Sequence, residues 1–78
     1  MKHFSISIHS LEEVQAFVNL AMTQPFDIIV GNDRQMVNGK NFMGMFSLDF
    51  QNPLDVQVDC DETSYQNFRQ KATELFAS

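Results

Sequence analysis

A single cysteine, Cys60, leaves this 78-residue chain with no internal disulfide and no Cys-x-x-Cys pair, so it can form neither a zinc knuckle nor a dithiol redox centre. Cys60 itself reads as a small buried hydrophobe. Basic residues are scarce as well. Five Lys and Arg stand against ten Asp and Glu, a net charge of −5, which repels nucleic-acid phosphates and anionic membrane surfaces at long range. Between Lys2 and Arg34 there is no Lys or Arg, so that stretch has no side-chain cation to offer a phosphate or an acidic partner. No apolar run approaches the roughly 18 residues of a membrane span, and nothing resembles a secretory signal. The chain therefore reads as soluble and cytoplasmic. Gly-rich phosphate loops, nucleophile elbows and His pairs at metal spacing are missing, which removes the P-loop, hydrolase and zinc readings. Asp55, Asp59, Asp61 and Glu62 cluster, but not at the spacing of an EF-hand loop. A solvated sheet edge is the expectation there. No cofactor, metal or small-molecule substrate is indicated.

What is present is a full set of periodic segments. Phe4-Ser5-Ile6-Ser7-Ile8 alternates at period two and predicts a strand with Phe4, Ile6 and Ile8 buried. Ser10-Leu11-Glu12-Glu13 has the form of a capping box, with Ser10 bonding the Glu13 N–H and the Glu13 carboxylate reaching back to Ser10. From there Leu11, Val14, Phe17, Val18 and Ala21 form a helical stripe, which Pro25 ends after about Thr23. Asp27-Ile28-Ile29-Val30 predicts a second strand, and Gly31-Asn32-Asp33 turns it into a third over Arg34–Val37. In Asp55–Cys60, strict alternation puts Val56, Val58 and Cys60 inward and Asp55, Gln57 and Asp59 outward. Asp61 caps a last helix whose Tyr65, Phe68, Ala72, Leu75 and Phe76 share a face.

Between the third and fourth strands lies the most unusual stretch, Asn41-Phe42-Met43-Gly44-Met45-Phe46-Ser47-Leu48. Asn41 is an N-cap residue type and no proline interrupts the run, so a short helix is predicted. Its Phe42, Met43, Met45 and Phe46 are too many for one orientation to bury, and at least one is expected to face water or a partner. Core filler is the plainer use of the same residues. The order is β-α-β-β-α-β-α, and one polar sheet face with amphipathic helices for the other implies a single-domain α+β two-layer sandwich.

Met43-Gly44, followed by Ser47-Leu48 and preceded by Val37-Asn38 and Lys40, resembles the segment around the short second helix of the HPr phosphocarrier family of the bacterial phosphotransferase system. The resemblance runs loosely from about Ser10 to Cys60. It implies the family's open-faced sandwich, with a four-stranded antiparallel sheet under three helices. It also implies a histidine, followed by Ala-Arg-Pro, at the start of the first helix, where it carries a phosphoryl group from enzyme I to sugar transporters. Here that word reads Ser10-Leu11-Glu12-Glu13. Glu12 at the arginine's place sets a carboxylate against a dianionic phosphoryl group, at about 1–3 kcal/mol for like charges some 5 Å apart near a surface. The connection from Phe4 to Ser10 is also shorter than the family's. Asn41 stands where many members have a regulatory serine, so both phosphorylation sites are replaced. The family's catabolite-repression homologue lost only the histidine.

The resemblance therefore implies a degenerate member with no catalytic role, acting as a regulatory module that binds another protein. The family's docking surface maps onto His9, Ser10, Glu12 and Glu13 on one side and Asn41, Phe42, Met43 and Phe46 on the other, with Phe42 and Met43 as apolar anchors. Loss of every cation on the first helix points to a changed partner, with a basic or largely apolar surface. His9, next to the family's position, is the residue through which an active phosphocarrier would work. A third reading keeps only the fold and detaches the protein from sugar transport. His3 receives no role.

Overall fold

Alternating side chains along Lys2–Ile6 (β1) and Leu54–Val58 (β4) make two strands that pair antiparallel, with Phe4 opposite Val56, in a computed structural model that describes residues 2–76. The elements between and after them are α1 (Leu11–Met22), β2 (Ile28–Gly31), β3 (Met36–Asn38), α2 (Phe42–Phe46) and α3 (Glu62–Phe76). The sheet order is β1-β4-β2-β3, with every pair antiparallel. This is the predicted β-α-β-β-α-β-α sandwich. One sheet face carries Phe4, Ile6, Ile28, Val30, Val56 and Val58, all buried under the helices. The opposite face is polar, and there Asp55 accepts a hydrogen bond from Gln57 Nε2 (3.0 Å) and lies 3.2 Å from His3 Nδ1.

Helix α3 supplies the centre of the core. Phe68 is fully buried and meets Phe4, Phe17 and Phe26 edge-on, with ring centroids 5.9, 6.0 and 5.8 Å away. Edge-to-face contacts of this kind add to the large apolar area each ring buries. Asp61 starts this helix, its carboxylate accepting from the Ser64 N–H. Hydrogen bonds from Ser64 hold the Asp61 carboxyl below its usual range. Gly31 is required by the β2–β3 hairpin, because a side chain there would strike the Gln35 carbonyl oxygen.

Several local expectations are corrected. Leu11 heads the α1 stripe in sequence but is 52% exposed. Helical side chains lean toward the N-terminus, so at the first helical position Leu11 leans past the end of the helix and away from the sheet. Leu75 is likewise exposed near the end of α3. The Glu13 carboxylate reaches the His9 N–H at 2.7 Å, one residue before the predicted Ser10. Strand β1 ends at Ile6, although Ile8 is still buried. Cys60 lies beyond β4 and is only partly buried. That partial burial, with the Asp61 carboxylate beside it, pushes the thiol pKa up. Among the described residues no helix is long and apolar enough to cross a membrane.

Candidate functional site

Helices α1 and α2 are in contact, with the end of α2 brought to the start of α1, and the sequence explains how each helix start is anchored. At α1, Ser10 adopts an extended conformation and its Oγ accepts from the Glu13 N–H at 3.2 Å, while the Ser10 carbonyl accepts from Val14 N–H. With the Glu13 carboxylate on His9 N–H, the cap is closed in both directions. The Leu11 and Glu12 N–H groups remain as the open donors of this end. Helix α2 is held the same way, Asn41 Oδ1 accepting from Gly44 N–H at 3.3 Å. Its Met45 turns fully inward. Met43 is then left 71% exposed and Phe46 50% exposed, while Phe42, partly buried, packs on Phe46 at 6.0 Å.

An open, largely apolar groove runs between these two helix ends, lined by His9, Ser10 and Leu11 from one side and by Phe46, Phe50 and Gln51 from the other, with Ile8 at its floor. The structure thus brings three of the predicted residues, His9, Ser10 and Phe46, into one place. Asn41 is engaged in its cap, Glu13 in the capping box, and Phe42, Met43 and Glu12 lie outside the groove lining. Leu11, Phe50 and Gln51 were not among the predicted site residues. Leu11 belongs to the α1 stripe that the sequence points at the core, and Phe50 falls outside every periodic segment, just before the irregular Gln51-Asn52-Pro53 connection. An aromatic flanked by Asp49 and Gln51 was the one available signal for the second.

The electrostatics of this end are negative. Among the described residues the ion pairs are Lys2–Glu62 (3.9 Å) and His3–Asp55 (3.2 Å), and neither involves Glu12 or Glu13. Lys2 also donates to the Cys60 carbonyl, and Lys40 donates to the Gln24 carbonyl beyond the far end of α1. Arg34 lines a separate polar groove with Asp33 and Asp49. Among the described residues no Lys or Arg lines either of the two grooves beside His9, which is exposed between the apolar groove and a second one bounded by Thr73 and Phe76 of α3.

No family model and no curated protein matches the sequence. Solved structures do match it. HPr-C-His from Thermoanaerobacter tengcongensis is 25% identical, with a TM-score of 0.77 over 100% of this chain and 98% of that one. The chain has the HPr fold. The phosphocarrier protein HPr from Bacillus anthracis, 14% identical, superposes with a TM-score of 0.73 over 97% of this chain and 96% of its own. The Bacillus subtilis catabolite repression containing protein Crh, described as a swapped dimer, is 16% identical with a TM-score of 0.65, covering 96% of this chain and 90% of its own. These likenesses show a shared fold, in agreement with the resemblance that the Met43-Gly44 segment carries. In this HPr-like chain the first-helix start is capped by a serine and flanked by carboxylates.

Proposed function

We propose that this HPr-like protein binds another protein through the adjoining ends of α1 and α2 and carries no phosphoryl group. One observation supports this above the rest. At the helix end where a phosphocarrier holds its charge, Ser10 caps α1, the Glu13 carboxylate takes the His9 N–H, the Glu12 side chain is anionic, Lys2, Lys40 and Arg34 are engaged or placed elsewhere, and the exposed Arg69 and Lys71 of α3 line neither groove beside His9. A phosphoryl group is stabilised by charge-assisted hydrogen bonds from cations and helix-end N–H groups, and a carboxylate at the same end opposes it. The protein is then a non-enzymatic regulator, whose apolar α2 surface does the binding.

Incubation with enzyme I and phosphoenolpyruvate, read by intact mass, tests the reading. No added acid-labile phosphoryl group is expected. A stoichiometric phosphoryl adduct, abolished by His9→Ala, would replace this reading with an active carrier. The second reading has some support in the exposed position of His9 and in the two open N–H donors of Leu11 and Glu12. A fold-only relationship, without a tie to sugar transport, predicts no adduct and capture of partners unrelated to that system.

A further inference from the structure

We infer that the occupant of this face is a basic amphipathic protein segment, its apolar stripe seated in the groove and its flanking Lys or Arg side chains set against the carboxylates of the α1 start. The inference rests on the protein-binding reading above and names the chemistry of the partner. Six large hydrophobic side chains are prominently exposed among the described residues, and three of them, Leu11, Met43 and Phe46, lie on the first turn of α1 and on α2, with Leu11 and Phe46 lining the groove itself. The rest are dispersed over α1's far end, β3 and the end of α3. Such a concentration of apolar surface marks an interaction site rather than ordinary surface scatter.

Charge selects among occupants. The groove lining contains no Lys, Arg, Asp or Glu, while Glu12 and Glu13 follow it on α1 and Asp49 precedes Phe50 on the loop. Lys2 and Lys40 donate to backbone carbonyls, Arg34 lies in the polar groove, and Arg69 and Lys71, exposed on α3, stand outside the groove lining. A second copy of the chain brings another −5 charge and the same carboxylates to the same face, so self-pairing is opposed. Nucleic acid and anionic lipid are opposed on the same ground. A segment with helical i, i+3, i+4 apolar anchors and a cationic rim satisfies both the groove and the charge.

The test uses two helical peptides with one Leu/Trp stripe, differing only in Lys or Glu at the flanking positions, titrated into the full chain while its backbone amide signals are followed. The Lys peptide is expected to bind roughly five- to tenfold more tightly at low salt. The difference should collapse at high salt, the perturbed amides should centre on Leu11, Phe46 and Phe50, and Glu12→Lys should narrow or reverse the preference in a chain that stays folded, with at most the small loss of melting temperature expected for a cation in the first turn of a helix. Equal affinities, preference for the Glu peptide, perturbation centred elsewhere, binding of neither peptide, or a dimer formed through this face would overturn the inference. A phosphoryl adduct on His9 would refute the protein-binding reading itself. Lost peptide preference with no such adduct would refute only the partner's chemistry.

Discussion

Two sets of phenylalanines do opposite work in this protein. Phe68 on α3 is sealed at the centre of an aromatic cluster with Phe4, Phe17 and Phe26, whereas Phe46 on α2 leaves half its surface in water beside the exposed Met43. The residue type is the same, and its surroundings differ. Fifteen residues of α3 provide enough turns to aim Phe68 and Ala72 at the sheet and keep polar side chains outward. Five residues of α2 can aim only Met45 fully inward and tuck Phe42 partly against the core, and Met43 and Phe46 are left outside. A short helix crowded with apolar residues therefore becomes a surface, and a long one becomes a core.

The sharpest way to break the contrast is to truncate both kinds of ring. Phe68→Ala should cost about 3–5 kcal/mol of unfolding free energy, the usual range for emptying a buried aromatic site, read from the urea midpoint. In a domain this small, that approaches the whole stability, and the variant is expected to unfold near room temperature. Within α2 the same test is sharper still. Met45→Ala should cost about 2–5 kcal/mol because its side chain is fully buried. Met43→Ser and Phe46→Ser should fall well below that, since exposed apolar atoms contribute little to folding, while the Phe42→Ser/Met43→Ser pair, which removes a partly buried ring packed against the core, should lie between. A Phe46→Ser loss as large as that of Met45→Ala would show that α2 has no outward face. Equal capture of a partner by wild type and the Phe42→Ser/Met43→Ser variant would remove those two residues from the binding surface.

The capping box offers a smaller effect. Ser10→Ala should lower stability by about 1 kcal/mol through the unsatisfied Glu13 N–H, and Ser10→Gly by only a few tenths. The smallest effect is pH-dependent. Because hydrogen bonds from Ser64 depress the Asp61 pKa in the folded state, the Asp61 contribution is full above the unfolded value of about 3.9. It is lost as pH falls through the lower folded value. The melting-temperature gap between wild type and Asp61→Ala is thus expected at neutral pH and should shrink in acid. A gap that widened on acidification would contradict the assigned cap.

Much of this contrast was readable from one-dimensional pattern. The surplus of Phe and Met around Gly44 announced that something would be exposed, and Ser10, Asn41 and Asp61 announced the helix starts. Period-two alternation names Phe4 and Ile6 of β1 and Val56 and Val58 of β4 as buried, but it misses Leu54 and counts in Cys60, which lies beyond the strand and is only partly buried. Leu11 escaped because a stripe counts helical angle and takes no account of where the helix ends relative to the sheet. Phe50 escaped because a loop has no period, so its direction follows from the chain's return to Leu54 rather than from its neighbours. The shift of the Glu13 bond from Ser10 to His9 lies between these cases, since the residue type was readable but the atom it reached was a matter of backbone geometry.

Local chemistry alone determined the element order, the capped helix starts, the inward faces of the strands and the shortage of cations in the first half of the chain, because periodicity, cap hydrogen bonds and net charge need no distant neighbour. Tertiary structure decided the β1-β4-β2-β3 strand order, and it brought Phe46, Phe50 and Gln51 against His9, Ser10 and Leu11. A groove exists only where segments some forty residues apart meet, and no local rule describes that meeting.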